Sequence, residues 1–197
     1  MKKVVALMGS PRKAKNTNIA LDLVLNNMDT KEYEVNKIYL GNLDINPCIG
    51  CDYCGREESC IHKDDMDNLY DEFDAADIVI LAAPVYFNSI NSLSKKIIDR
   101  CQRYWSLKYT HGKQYKRNQN RKGICISVGG APFTFDQFSG IDPILDYFFR
   151  SLNVEHMGNY YISNTDRKPV NTREDVVEEL ENIGRNFNNL EKFYIQR

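Results

Sequence analysis

The sequence predicts an α/β protein in which helices cover both faces of a five-stranded parallel sheet. Apolar runs of strand length alternate along the chain with longer segments of helical periodicity. Turn-forming residues end these runs, as at Gly9-Ser10-Pro11 and at Gly129-Gly130. This alternation is typical of parallel sheets, because a parallel connection needs a long crossover, usually a helix.

The elements follow in order from their apolar patterns. The run from Asp77 to Ala83 has the continuous apolar character of a strand buried on both faces. Helical spacing is clearest after residue 16, where Ile19, Ala20, Leu23 and Val24 share one face. The predicted strands are 3–8, 33–40, 77–83, 123–128 and 154–162, and the predicted helices are 16–28, 64–76, 92–104, 141–152 and 173–193.

Composition and length restrict the class of protein. The 197 residues suffice for one domain, and since no Pro/Ser-rich linker divides them, we expect a single domain over 1–197. A net charge of −1 argues against a dedicated nucleic-acid binder. No apolar stretch has the length of a membrane span or the pattern of a signal peptide. We therefore expect a cytoplasmic protein with no membrane or nucleic-acid partner.

The segment after the first strand predicts a phosphate site. Gly9-Ser10-Pro11-Arg12 leads into Asn16-Thr17-Asn18, where a helix begins. A helix N-terminus offers free N–H groups and a positive dipole, and Arg12 adds charge-assisted hydrogen bonds. The segment lacks both the dinucleotide-binding glycine pattern and the P-loop pattern. The alternative is that these residues only form a turn and cap the helix.

Two further segments follow strands three and four. They are Pro84-Val85-Tyr86-Phe87-Asn88 and Gly129-Gly130-Ala131-Pro132. In open parallel sheets, ligands bind beyond the carboxyl ends of the strands. The three segments are thus predicted to meet at one edge of the sheet.

Together these motifs resemble those of the flavodoxin-like NAD(P)H-dependent FMN reductases. The resemblance implies a three-layer sandwich with strand order 2-1-3-4-5. It also implies that the phosphate of FMN lies against the loop after strand one and the flavin ring against the loops after strands three and four. The implied cofactor-binding residues are Ser10, Arg12, Asn16, Thr17, Asn18, Pro84, Val85, Tyr86, Phe87, Asn88, Gly129 and Gly130.

Four of the six cysteines crowd into a Cys-rich loop at about residues 41–63. Cys48, Cys51, Cys54 and Cys60 have the spacing C-x2-C-x2-C-x5-C, which lets one loop supply several thiolates. This motif resembles that of the iron-sulfur flavoproteins, a branch of the same superfamily, and so implies a [4Fe–4S] cluster near the FMN. The alternatives are zinc, a redox-active disulfide or no bound group.

Two other segments are candidates for partner contacts. A basic insertion at about residues 106–122 is expected to form a flexible surface loop, with reductant binding or a subunit contact as alternatives. The aromatic segment from Phe133 to Phe138 is expected to line the substrate side of the flavin or to pack against another subunit. The resemblance implies a homodimer or homotetramer.

The expected function is that of an FMN-dependent oxidoreductase. Electrons would come from NAD(P)H or a reduced ferredoxin-type donor and pass to a small-molecule or protein acceptor, with the cluster, where present, as a relay. Flavin carries this chemistry, so no catalytic side chain is predicted. The alternatives are a non-enzymatic flavodoxin-type electron carrier and a zinc-stabilised binding module.

Overall fold

A parallel sheet forms the middle of the structure, a computed structural model that describes residues 1–116, 119–133 and 136–197. The strands are β1 (Lys2–Met8), β2 (Tyr33–Tyr39), β3 (Ile78–Tyr86), β4 (Ser89–Ile90), β5 (Lys122–Val128), β6 (Glu155–Ile162) and β7 (Phe193–Gln196). The α-helices are α1 (Asn16–Leu25), α2 (Tyr53–Glu57), α3 (Met66–Ala75), α4 (Ser92–Arg100), α5 (Gln102–Tyr109), α6 (Asp142–Ser151) and α7 (Glu174–Arg185).

The strand order is β2-β1-β3-β5-β6-β7, and all of these pairs are parallel. Met8 pairs with Ala82, and Pro84 pairs with Val128. The carboxyl ends of β1, β3 and β5 therefore lie at one edge of the sheet, as the sequence predicted.

Helices cover both faces of the sheet and give three layers. Val5 and Leu7 of β1 pack into a hydrophobic cluster with residues of α3, α4, α5 and α6. Val4, Ala6 and Met8 pack into a second cluster, with α1 and α7. This alternation follows from the two-residue period of a strand, which sends successive side chains to opposite faces.

The predicted α/β class and the order of the five predicted strands are confirmed, but the count of five strands was too low. β4 pairs antiparallel with the end of β3, and β7 adds a parallel strand beside β6. The last helix had been predicted over residues 173–193, but α7 ends at Arg185 and Phe193 begins β7. The run Phe193-Tyr194-Ile195 consists of aromatic and β-branched residues, which favour a strand.

Two helical predictions also need correction. The helix expected over residues 92–104 is divided at Cys101 into α4 and α5. α5 continues to Tyr109, so the first residues assigned to the basic insertion are helical.

Among the described residues, no helix has both the length and the apolar character needed to span a membrane.

Candidate functional site

The loop after β1 (residues 9–15), here called the phosphate loop, is anchored to the neighbouring strand. Gly9 N donates to Ala82 O of β3 at 2.7 Å. Ser10 is buried, and its Oγ accepts a hydrogen bond from Arg12 N at 3.1 Å. In α1 the Ile19 N–H donates to Lys15 O at 3.0 Å, so the amides of residues 16–18 precede the helical ladder. These free amides and the exposed Arg12 side chain are groups that can bind an anion.

Two asparagines at the start of α1 tie that end of the helix to neighbouring segments through their side chains. Asn16 Nδ2 donates to Thr165 O at 3.2 Å, and its Oδ1 accepts from Val170 N at 3.0 Å. Asn18 Oδ1 accepts from Lys37 Nζ at 2.8 Å. At these two positions the backbone N–H is the group left for a ligand.

Two residues that the sequence analysis did not single out join the loops after β1 and β3. The buried Asn91 donates from Nδ2 to Gly9 O at 2.7 Å. Ser94 Oγ in turn donates to Asn91 Oδ1 at 2.8 Å. The position of Asn91 before a helix favours an N-cap, but its contact with a residue 82 positions away has no local sequence signal.

Gly9 is a position where a larger residue should destabilise the fold. A Cβ there would overlap Ser94 Oγ and lie 3.1 Å from Ala82 O. We expect Gly9→Ala to lower the free energy of unfolding by about 1–3 kcal/mol, because overpacking forces neighbouring atoms to move. Urea denaturation measures this change. Gly41→Ala is the matched control, since among the described residues the nearest atom to its Cβ would be Leu93 Cδ1 at 3.7 Å. Equal unfolding midpoints for the two variants would contradict the prediction.

The segment after β3 forms a tight hairpin, here called the ring loop (Pro84–Asn88). Tyr86 pairs with Ser89 across the turn, and the two residues between them, Phe87 and Asn88, have φ values of 51° and 55°. Two positive φ values are the signature of a type I′ turn, whose twist matches that of the flanking strands. A positive φ is uncommon for an aromatic residue. The Phe87 side chain is fully exposed at the tip. The ring loop thus holds an aromatic group at the edge where the phosphate loop begins.

The third loop, Gly129–Gly130, closes against the segment after β6. Thr165 N donates to Gly129 O at 3.2 Å, and Asp166 N donates to Gly130 O at 3.1 Å. A Cβ on Gly130 would lie 2.5 Å from the carboxylate of the exposed Asp166, so a larger residue there would require the Asp166 side chain to move. Since Asn16 bonds the same segment, these contacts link the third loop to the phosphate loop.

The aromatic segment after the third loop is divided between core and surface. Phe138 is buried and stacks on Tyr161 with ring centroids 4.6 Å apart, so it belongs to the core and not to a substrate surface. Phe133 remains half exposed. Thr134 and Phe135 of this segment lie outside the described residues.

The four clustered cysteines line a single cavity of about 170 Å³. All four are free thiols; Cys48 and Cys51 are exposed, and Cys54 and Cys60 are half-buried. Within the described ranges, no three Cys, His, Asp or Glu side chains are arranged to hold a metal ion. Four thiolates are nevertheless a donor set that suits an iron-sulfur cluster or zinc.

A buried ion pair closes the base of the Cys-rich loop. Arg100 Nη1 lies 2.8 Å from Asp64 Oδ2, and Arg100 also donates to Asn46 O at 2.9 Å. Asp64 accepts from Asn46 N at 2.9 Å and from Met66 N at 3.1 Å. Burial opposes ionisation, but the hydrogen bonds from Arg100, Asn46 and Met66 outweigh it and hold the pKa of Asp64 well below its usual range.

This pKa predicts how stability depends on pH. A carboxyl whose pKa is lowered by folding stabilises the protein above its unfolded pKa, about 3.9, and loses that contribution as the pH falls towards the folded value. We expect Asp64→Asn to be less stable than the native sequence at pH 7, and the difference to narrow below about pH 4. Urea denaturation at a series of pH values measures the difference. If the difference in free energy of unfolding between the native sequence and Asp64→Asn stayed constant down to pH 2, this assignment would be contradicted.

The basic insertion contacts the Cys-rich loop. His111 Nε2 lies 3.0 Å from Cys54 O, and His111 Nδ1 lies 3.7 Å from Glu58 Oε1. Lys113 forms an ion pair with the same Glu58. The described part of the insertion therefore packs against the loop that carries the cysteines. Arg117 and Asn118 of the insertion lie outside the described residues.

Sequence comparisons identify related proteins. A family model for NADPH-dependent FMN reductases matches residues 2–136. An iron-sulfur flavoprotein of Methanocaldococcus jannaschii is 37% identical over 129 residues, which cover 65% of this chain and 62% of that protein. An iron-sulfur flavoprotein of Methanosarcina thermophila is 30% identical over 133 residues, which cover 66% and 64%. The chain thus spans less than two thirds of the length of these relatives.

Solved structures share the fold at low sequence identity. A flavone reductase superposes with a TM-score of 0.69 at 18% identity, over 98% of this chain and 66% of that one. An NAD(P)H:quinone oxidoreductase from Methanothermobacter marburgensis superposes with a TM-score of 0.68 at 14% identity, over 94% and 95%. This chain therefore shares its three-layer fold with these two structures.

Proposed function

This chain belongs to the NADPH-dependent FMN reductase family, and we propose that it is an FMN-dependent oxidoreductase whose residues 1–197 form one FMN-binding domain. The observation that carries the proposal is the meeting of three loops at one sheet edge. The phosphate loop, the ring loop and the third loop are joined there by Asn91, Asn16 and Thr165. Such an edge suits a ligand with a phosphate at one end and a flat ring at the other.

The phosphate loop is assigned to the FMN phosphate. Ser10 would donate a hydrogen bond from its hydroxyl, and Arg12 would donate charge-assisted hydrogen bonds from its guanidinium. Asn16, Thr17 and Asn18 would supply the amides at the positive end of α1. Because the side chains of Asn16 and Asn18 already have protein partners, their part in binding is assigned to the backbone.

The ring loop and the third loop are assigned to the flavin ring. Residues 84–88 would lie along the ring, with Tyr86 and Phe87 as the aromatic contacts. Gly129 and Gly130 would let the backbone approach it closely. When bound, FMN supplies the redox chemistry, and the chain's residues bind and orient it.

We propose that Cys48, Cys51, Cys54 and Cys60 hold a [4Fe–4S] cluster. Three facts support this assignment: the four thiols line one cavity, the donor set suits iron, and the relatives carry the name iron-sulfur flavoprotein. Zinc and a disulfide are the competing occupants of the same loop, and both differ from a cluster in colour and iron content.

The electron donor is proposed to be NAD(P)H or a reduced ferredoxin-type protein, and the acceptor a small molecule or a protein. A homodimer or homotetramer in the cytoplasm is proposed on the same family grounds. The exposed Phe87 and Phe133 near the flavin edge are apolar groups that a second copy of the chain would cover.

Anaerobic purification followed by absorption spectroscopy, iron and sulfide assay and a reductase assay tests the proposal. We expect flavin bands, about four iron and four sulfide per chain, and oxidation of NADPH or NADH when a quinone is added. Flavin bands without iron would contradict the proposed cluster and leave the assignment as an FMN reductase. Flavin without NAD(P)H oxidation would exclude NAD(P)H and leave the ferredoxin-type donor, whereas a colourless protein with one zinc per chain would contradict the enzymatic assignment.

A further inference from the structure

The hydroxyl of Ser106 lies against a sulfur of the Cys-rich loop. Ser106 sits on α5, is buried, and has its Oγ 3.5 Å from Cys54 Sγ. Either atom could donate while Cys54 is a thiol. Once Cys54 ligates a metal it is a thiolate without a proton, so the hydroxyl must then be the donor.

His62 is the second polar group at this cavity. It lines the cavity with the four cysteines, and its Nε2 is screened from solvent without a hydrogen-bond partner among the described residues. A buried polar group without a partner costs about 1–3 kcal/mol, and such groups are uncommon in native proteins. A sulfur-rich group held by the neighbouring cysteines would give this nitrogen acceptors.

The cationic side chains at the cavity already have other partners. Arg100 bonds Asp64 and Asn46 O, while Arg103 donates to Glu58 O at 3.3 Å and stacks over the Tyr70 ring. Their charge contributes to the field around the cavity. The Nε of Arg100 is also screened from solvent without a hydrogen-bond partner among the described residues. Because Arg100 anchors the base of the Cys-rich loop through Asp64, the contacts to sulfur that can be tested without removing that ion pair are those of Ser106 and His62.

We propose that Ser106 and His62 are positioning residues that donate hydrogen bonds to the sulfurs of the group held by the four cysteines and raise its reduction potential. The inference rests on the proposed [4Fe–4S] cluster. Hydrogen bonds to cluster sulfurs stabilise the added negative charge of the reduced form, so their loss lowers the potential. Ser106 therefore links α5 to the redox property of a loop about fifty residues earlier in the sequence.

The test is a redox titration of the anaerobically purified, FMN-loaded full chain, followed by electron paramagnetic resonance of the reduced cluster. For Ser106→Ala we expect unchanged iron, sulfide and FMN contents. The equilibrium constant for one-electron reduction of the cluster should fall by about threefold to tenfold, where tenfold corresponds to 59 mV. His62→Leu should shift the potential in the same direction. Ser106→Thr, which keeps the hydroxyl, should restore the native value.

Two matched controls remove a buried hydroxyl or an imidazole elsewhere. Ser151→Ala loses a hydroxyl that donates to Phe148 O at 2.7 Å, and His156→Leu loses a ring paired with Asn159. Neither should move the cluster potential. If Ser106→Ala and His62→Leu both kept the cluster and its native reduction potential, this inference alone would be overturned. Native protein without iron and sulfide would overturn the proposed cluster and this inference with it, while FMN binding would still stand.

Discussion

Arg100→Met should lower the free energy of unfolding by about 3–5 kcal/mol, the largest effect expected of any single change described for this chain. The Arg100 side chain is fully buried, and that of Asp64 is 6% exposed. Methionine fills a similar volume but leaves the Asp64 carboxylate buried without its cation. The same change removes the donor to Asn46 O, so the base of the Cys-rich loop should loosen as well.

Urea denaturation at pH 7 measures this effect, with Lys95→Met as the matched control. Lys95 forms an ion pair with Asp99 on the same helix, but both side chains are more than two-fifths exposed. Exposed pairs of this spacing contribute only about 0.3–0.5 kcal/mol. If both variants lost the same small amount of stability, the buried pair could not be the anchor of the loop.

Arg12→Ala should weaken FMN binding by about 10- to 150-fold, or 1.5–3 kcal/mol, the range for a hydrogen bond to a charged group. Arg12 is exposed in the phosphate loop, beside the free amides at the start of α1. Its guanidinium can give two parallel hydrogen bonds to phosphate oxygens. Removing it leaves the amides and the Ser10 hydroxyl, so binding should weaken without being abolished.

Quenching of flavin fluorescence during titration of the flavin-free chain measures this affinity. Arg185→Ala is the control, because it removes an exposed arginine at the end of α7, where the side chain pairs with Glu181. The two variants have the same net charge, so a shared loss of affinity would indicate a general electrostatic effect. Unchanged FMN affinity in Arg12→Ala would contradict its contact with the phosphate.

Local pattern was enough to predict the sheet edge and its loops. The apolar runs that end at Met8, at Pro84 and at Val128 are buried strands in the structure, and parallel pairing places their ends together. That step needs only the rule that parallel strands share a direction. The strand β7 was not predicted, because its four residues carry little periodic signal beside a long helical pattern.

Contacts between distant residues could not be predicted in the same way. Asn91 reaches Gly9, and Ser106 reaches Cys54, across 82 and 52 residues. No spacing rule connects such pairs, since packing of the layers brings them together. The Asp64–Arg100 pair belongs to the same class, and the sequence analysis had identified only the helix start at Asp64.

Calorimetric titration of the flavin-free chain with FMN and with riboflavin tests most directly whether the phosphate loop holds FMN by its phosphate. The two ligands share the ring and differ in the phosphate. We expect one FMN per chain and an affinity for riboflavin that is weaker by about 10-fold or more. Equal affinities, or no binding of FMN, would contradict the account.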